Sequence, residues 1–332
     1  MPKKLLHEDE KLFKDFIDRT AEEMGLPPQI IEKDYYVTLV LEKIVEKNPR
    51  IMFKGGTSLS KCFNAIDRFS EDIDLTMTGD KPTQGQRKSI KYDIVDVVAE
   101  LGLSINNIDD IKSNREFNRY EITYPSLYPN IKTLKSYIYV ETAVFLRAYP
   151  YVTAEADSYI GKYIKQKGLS GHLEEFDLHT FDVNTQSIER TIIDKCFAIC
   201  DYYLIDNTRA QSRHIYDIYK LLPYTALDQR FRELVVQVKK DREQDEECVS
   251  AKDVDVENIL NRIVTENIFR NDYENNTMDL FFKNEHTTYE TAITGITEIV
   301  KSGMFKGLGT KTPHPKAKSP EKPDTEQLEG KE

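Results

Sequence analysis

Phe53-Lys54-Gly55-Gly56-Thr57-Ser58, followed at a short interval by Arg68-Phe69-Ser70-Glu71-Asp72-Ile73-Asp74, is the stretch on which the reading of this chain turns. Ile51, Met52 and Phe53 read as a short buried strand. The glycine pair lets backbone approach a ligand, and Thr57 is placed to cap a helix carrying Leu59, Cys62, Phe63 and Ile66 at helical spacing. Backbone N–H groups and the positive end of such a helix make a phosphate cradle, to which Lys54 and Ser58 add donors. Beyond it, Asp72-Ile73-Asp74-Leu75-Thr76-Met77 alternates polar and apolar. A strand there sends Ile73, Leu75 and Met77 into the core and both aspartates to the other face. Two carboxylates at that spacing suit hard Mg²⁺ ions, which also bind triphosphates.

Gly-Gly-Ser/Thr, a helix, then Asp-x-Asp on a strand resembles the DNA polymerase β type of nucleotidyltransferase. The longer string from Lys54 to Leu75 is similar to the AbiEii/AbiGii (MenT-like) nucleotidyltransferase toxins of bacterial type IV toxin–antitoxin and abortive-infection phage-defence systems. A Gly-Gly pair alone is weak evidence and a lone Asp-x-Asp is often a solvated strand end. Together, at this spacing, they point to a nucleotide site.

Outward from that stretch, the 332 residues suffice for two domains, and no repeat is visible. A formal net charge of −11 argues against a general nucleic-acid binder while leaving room for a local basic groove. Cys62, Cys196, Cys200 and Cys248 have no paired metal spacing, which fits a reducing cytoplasm. The chain begins Met1-Pro2-Lys3-Lys4 with no apolar leader and has no run long enough to cross a membrane, so a soluble cytoplasmic protein is expected.

Leu12, Phe13, Phe16, Ile17 and Met24 predict a helix ended by Gly25, and Ile30, Val37, Leu41 and Ile44 a second one. Asp34 lies within that second stripe, so it is either a structural ion pair or part of the site; Lys33-Asp34-Tyr35-Tyr36 resembles the toxin segment before the glycine motif. Ile90, Ile94, Val97, Val98 and Leu101 predict a helix closed by Gly102. Arg115 to Tyr124 and Tyr137 to Phe145 read as strands. On the second of these, Glu141 is an exposed strand acid or a third metal carboxylate, and the resemblance favours the latter. Residues 150–185 are weakly patterned and read as a junction.

From residue 186 the period is helical. Ile188, Ile192, Cys196, Ile199, Cys200 and Tyr203 form one face with Lys195 at its edge, where it snorkels or enters a pocket. Next, Ile215, Ile218, Tyr219 and Leu222 form a stripe that leaves Arg213 and Asp217 on the opposite face, by themselves an exposed ion pair. The resemblance implies instead that Lys195 and Asp217 belong to the active site, Lys195 pairing with phosphate and Asp217 orienting the acceptor hydroxyl or taking its proton. Further helices are expected around Phe231–Val238, Ile259–Ile263 and Tyr289–Val300. The charged run from Lys239 to Asp255 reads as a solvated connection.

The expected architecture is mixed α/β (α+β). A nucleotidyltransferase mixed-sheet domain spans residues 1–185, an all-helical domain 186–305, and a disordered Lys/Pro/Glu tail 306–332. The expected site has Asp72, Asp74 and Glu141 on Mg²⁺, and Lys54, Gly55, Gly56, Thr57, Ser58 and Lys195 on the triphosphate. Ser70 fixes Asp72 by a hydrogen bond. The resemblance implies transfer from a nucleoside triphosphate to an acceptor, RNA such as the tRNA 3′ end, and a cognate antitoxin. The alternatives are a protein or small-molecule acceptor, or a non-enzymatic GTP/NTP-binding module.

Overall fold

A computed structural model of the protein describes residues 4–79, 82–131, 134–144 and 149–315. Its centre is a seven-stranded mixed sheet of β1 (Ile51–Lys54), β2 (Ile73–Met77), β3 (Ser104–Ile105), β4 (Phe117–Thr123), β5 (Ile138–Ala143), β6 (Tyr151–Ala156) and β7 (Phe181–Gln186). The strand order is β3-β4-β5-β2-β1-β7-β6. β1 runs parallel to β7 and β2 parallel to β5, and the other neighbours are antiparallel.

The alternation of β2 does what its pattern dictates: Ile73, Leu75 and Met77 are buried in the core. Against that face lie α1 (Glu10–Met24), α2 (Pro28–Lys47) and α4 (Gln84–Glu100). Local chemistry fixes their ends. Asp9 caps α1 by accepting from the Leu12 amide, Pro28 opens α2, and Gly25, at φ +66°, takes the left-handed turn that stops α1.

Three expectations change here. α3 covers only Gly55–Lys61; Lys54, not Thr57, is its cap residue, and Asn64 at φ +49° breaks the path, so Phe63 and Ile66 lie outside it. Residues 150–185 are no mere junction. They supply β6, β7 and the helices α5 (Tyr159–Gln166) and α6 (Ser170–Phe176), and β7 pairs with β1 in the middle of the sheet. Their pattern is weak because β6 is an exposed edge strand.

The second half is α7 (Ile188–Leu204), α8 (Arg213–Leu221), α9 (Gln229–Arg242), α10 (Val256–Thr265), the turn α11 (Arg270–Asp272) and α12 (Tyr289–Ser302). Ser187 caps α7 at the expected change of period. These helices enclose a second apolar cluster, into which Leu59, Ala65 and Ile66 reach from the glycine segment. The start of the expected tail is also built in: Lys311 bridges Val254, and its carbonyl accepts from the Asp255 amide. Residues 316–332 lie outside the described residues.

Candidate active site

The sheet register sets four charged residues in one row across adjacent strands. Lys54 of β1 faces Asp74 of β2, Asp74 faces Glu141 of β5, and Glu141 faces Arg119 of β4. Because neighbours on each strand point to the core, these four share the opposite face. Burial pushes the Asp74 carboxyl up to about 7; the charges of Glu141 and Asp72 add to the rise, and Lys54 and Lys195 oppose it.

Gly55 begins α3 at φ +79°, and a Cβ there would collide with Asp74 Oδ2. A Cβ at Gly56 would come within 2.7 Å of Ser70 Oγ and 2.8 Å of Arg68 Nη2. The glycine pair therefore lets backbone close onto the protein's own polar side chains, Asp74 first among them. The hydroxyls of the motif turn inward. Ser58 Oγ donates to the Gly55 carbonyl at 2.8 Å, and Thr57 Oγ1 donates to Ser70 Oγ at 3.0 Å. Both residues are buried. This corrects two expectations: Thr57 and Ser58 do not present side chains to a ligand, and Ser70 bonds Thr57 rather than fixing Asp72.

Asp72 precedes β2 and is gripped by Lys135 Nζ at 2.7 and 2.6 Å. Glu141 accepts from Arg119 Nε at 2.7 Å. The Tyr139 ring lies between the two cations, 4.8 Å from Lys135 Nζ and 5.3 Å from the Arg119 guanidinium carbon. Lys33 pairs with Glu71 at 2.5 Å and donates to the Lys135 carbonyl at 2.7 Å, so the segment around Lys33 does border the site. Its neighbour Asp34 is a structural acid, held by Lys61 at 2.5 Å and by the Tyr159 amide at 2.7 Å.

Among the described residues no three His, Cys, Asp or Glu side chains are gathered as a ready metal cage. The donor chemistry nevertheless fits a hard divalent cation. Asp74 has two like-charged neighbours, all three groups are oxygen donors, and Lys135 and Arg119 now supply the compensating charge.

Lys195 does not snorkel. It is buried and donates to Asp217 Oδ2 at 2.6 Å, while Arg68 forks onto the same carboxylate at 2.7 Å from both Nε and Nη2. Asp217 is 0% exposed. Burial alone would raise its carboxyl; Arg68 and Lys195 overcome that and hold it well below the usual carboxylate range. The exposed Arg213–Asp217 pair is thus corrected, since Arg213 donates to the Ala210 carbonyl. Asp217 is the shared anion of Lys195 and Arg68, which occupy both of its oxygens.

Lys54, Gly55 and Lys195 open onto a cavity of about 640 Å³ that Tyr202, His214 and Arg242 also line. No local pattern marks Tyr202 or Arg242, or pairs Arg119 and Lys135 with the acids, whereas Arg68 lies within the motif itself and His214 within the segment around Asp217 that carries the resemblance. Arg242 sits in the charged run taken for a solvated connection, yet it is buried and bonds Asp201 at 2.8 Å and Asp194 at 3.4 Å. No local pattern distinguishes it from its exposed neighbours.

The family described as nucleotidyl transferase AbiEii toxin, type IV TA system, matches residues 39–294. No curated protein sequence matches the chain. A solved structure similar to it is MenT4, a nucleotidyltransferase toxin from Mycobacterium tuberculosis H37Rv, at a TM-score of 0.47 and 13% identity over 89% of each chain.

Proposed function

The chain belongs to the AbiEii family of nucleotidyltransferase toxins of type IV toxin–antitoxin systems, and from that premise we propose that it moves a nucleotide from a nucleoside triphosphate to an RNA hydroxyl, such as the tRNA 3′ end. The observation supporting this site is the row Arg119, Glu141, Asp74, Lys54 across four adjacent strands, with Gly55 closed onto Asp74. Asp72, Asp74 and Glu141 would hold Mg²⁺, which when bound neutralises phosphate charge at the reacting centre. Lys54, at the end of β1, meets phosphate from the sheet side. Lys195 meets it from α7, kept in place by Asp217, which Arg68 in turn anchors.

Membership of the family implies an antitoxin partner and a nucleoside triphosphate substrate. Action in the cytoplasm as a phage-defence toxin belongs to the same proposal. Among the described residues no helix is long and apolar enough to cross a membrane.

The test supplies each α-labelled nucleoside triphosphate with Mg²⁺, purified tRNA, total RNA and lysate protein in parallel. Label is expected in RNA with the wild type and not with Asp74→Ala. Label in protein or in a small molecule instead would reassign the acceptor, and equal labelling by Asp74→Ala would remove the carboxylates from the mechanism.

A further inference from the structure

Two lysine–aspartate pairs of equal length stand at this site in opposite surroundings. Lys195 and Asp217, 2.6 Å apart, are buried, and Arg68 shares the carboxylate. Lys135 and Asp72 also meet at 2.6 Å, but their side chains are 44% and 28% exposed. Water screens both charges in that setting, so the pair contributes little and either partner leaves it at small cost. The first pair is a permanent part of the fold. The second is held loosely enough to exchange.

The placement of Lys135 sets it apart from an ordinary surface contact. Its single ammonium reaches both oxygens of Asp72, at 2.7 and 2.6 Å, and so covers both donor atoms that this acid offers a cation. Its backbone is fixed. The carbonyl accepts from the fully buried Lys33 ammonium at 2.7 Å, and the amide donates to Glu71, the neighbour of Asp72, at 3.4 Å. Any movement therefore falls to the side chain alone. The Tyr139 ring, 4.8 Å from the ammonium, gives the charge a second place to rest. Arg119 repeats the arrangement at Glu141, 2.7 Å from the carboxylate and 5.3 Å from the same ring.

We propose that Lys135 is an exchangeable counter-ion of Asp72, which holds the carboxylate in place while the site is without a divalent cation and gives it up when one is bound. The proposal rests on the reading of Asp72, Asp74 and Glu141 as metal ligands. Its consequence is for affinity. A lysine charge at Asp72 both covers the ligand atoms and repels a dication. The bare enzyme then binds metal weakly and is loaded effectively only when a triphosphate brings further negative charge and oxygen donors to the site. Removing the charge of Lys135 tightens metal binding, whereas losing a residue that merely supports the fold would weaken it.

The experiment is Mn²⁺ binding to the full chain without nucleotide, followed by electron paramagnetic resonance, on wild type, Lys135→Gln, Lys135→Arg, and Lys135→Gln combined with Asp72→Asn. The expected result is binding about tenfold tighter in Lys135→Gln, equivalent to about 1.4 kcal/mol. Lys135→Arg should stay near wild type, and the combined variant should lose the gain. Equal or weaker binding in Lys135→Gln overturns the exchange, and so does a gain that survives Asp72→Asn. A second measurement needs no variant: acetylation of Lys135 in the wild type by acetic anhydride, read by mass spectrometry, should at least double when Mn²⁺ is added. An unchanged rate overturns the exchange. Failure of every form to bind Mn²⁺, Lys135→Gln included, overturns the carboxylate reading of the site and the exchange with it, while binding that is present but indifferent to Lys135 overturns the exchange alone.

Discussion

Replacing Asp217 by Asn keeps the shape of the side chain and removes its charge, leaving Arg68 and Lys195 buried without an anion. Three contacts of 2.6 to 2.7 Å are affected. Arg68 is 3% exposed and Lys195 6%. Breaking a buried pair from one side costs about 3–5 kcal/mol, because the surviving charge stays desolvated. Lys195 can relieve its share by losing a proton, since burial already lowers its ammonium, but Arg68 cannot. Asp217→Asn is therefore expected to lose about 3–5 kcal/mol in urea unfolding at pH 7.5. Lys195→Met, which leaves the Arg68 fork intact, should lose only about 1–2 kcal/mol. The pH dependence has a definite sign. The folded Asp217 carboxyl lies below its unfolded value, so its contribution is fully present above about pH 4 and is lost as the pH falls further. The deficit of Asp217→Asn should accordingly narrow in acid. A deficit under about 1 kcal/mol at pH 7.5, or one equal to that of Lys195→Met, would refute the reasoning.

Other outcomes follow from the same geometry. Asp74→Ala should abolish Mg²⁺-dependent transfer with its thermal midpoint close to wild type, and its expression in bacteria should leave growth intact where the wild type arrests it; equal arrest by both would point to a binding effect. Gly55→Ala forces an alanine to φ +79°, costing about 1–2 kcal/mol, and pushes on Asp74. Transfer should fall at least tenfold, whereas Gly171→Ala, with nothing near its added methyl, should match wild type in the same assay. Ile73→Asp places a charge at a fully buried position one residue from Asp74 and should cost more than about 4 kcal/mol, visible as aggregation or loss of the unfolding transition.

Asp74 could be placed from the sequence because period-2 alternation is a local property: Ile73, Leu75 and Met77 fix which face it takes, whereas Asp72 lies just before β2 and is positioned by Lys135. Glu141 was legible only as a candidate, since its proximity to Asp74 depends on β5 pairing beside β2, a contact across more than sixty residues of chain that no local pattern encodes. Asp217 was placed on the wrong side for a physical reason. α8 is packed between α7 and α12, so a single apolar stripe does not define its solvent face. At Gly295 of α12 an added Cβ would come within 2.8 Å of Tyr219 Cα, showing how closely the helices cross. Ser70 was assigned to Asp72 by nearness in sequence, but the first turn of α3 brings Thr57 to it instead. Arg242 gives no signal because its burial comes from packing against distant Asp194 and Asp201.

The seating of Leu59, Ala65 and Ile66 inside the helical cluster has a consequence for how this toxin can be taken apart. A fragment ending after β7 would keep every carboxylate of the row, yet those three side chains would face water and Arg68 would lose the anion it needs. The segment joining the glycine turn to Asp72 would keep the Thr57–Ser70 bond but lose its backbone bonds to Leu280 and Phe282 and the bond of the Asp67 amide to Tyr216. The chain thus works as an interlocking pair in which neither piece is a finished object: the sheet carries the acids, and the helices bury the apolar side of the segment that follows the glycine turn. Partial proteolysis or slow synthesis of the second half should yield an inert first half, a useful property in an enzyme that is harmful as soon as it is complete.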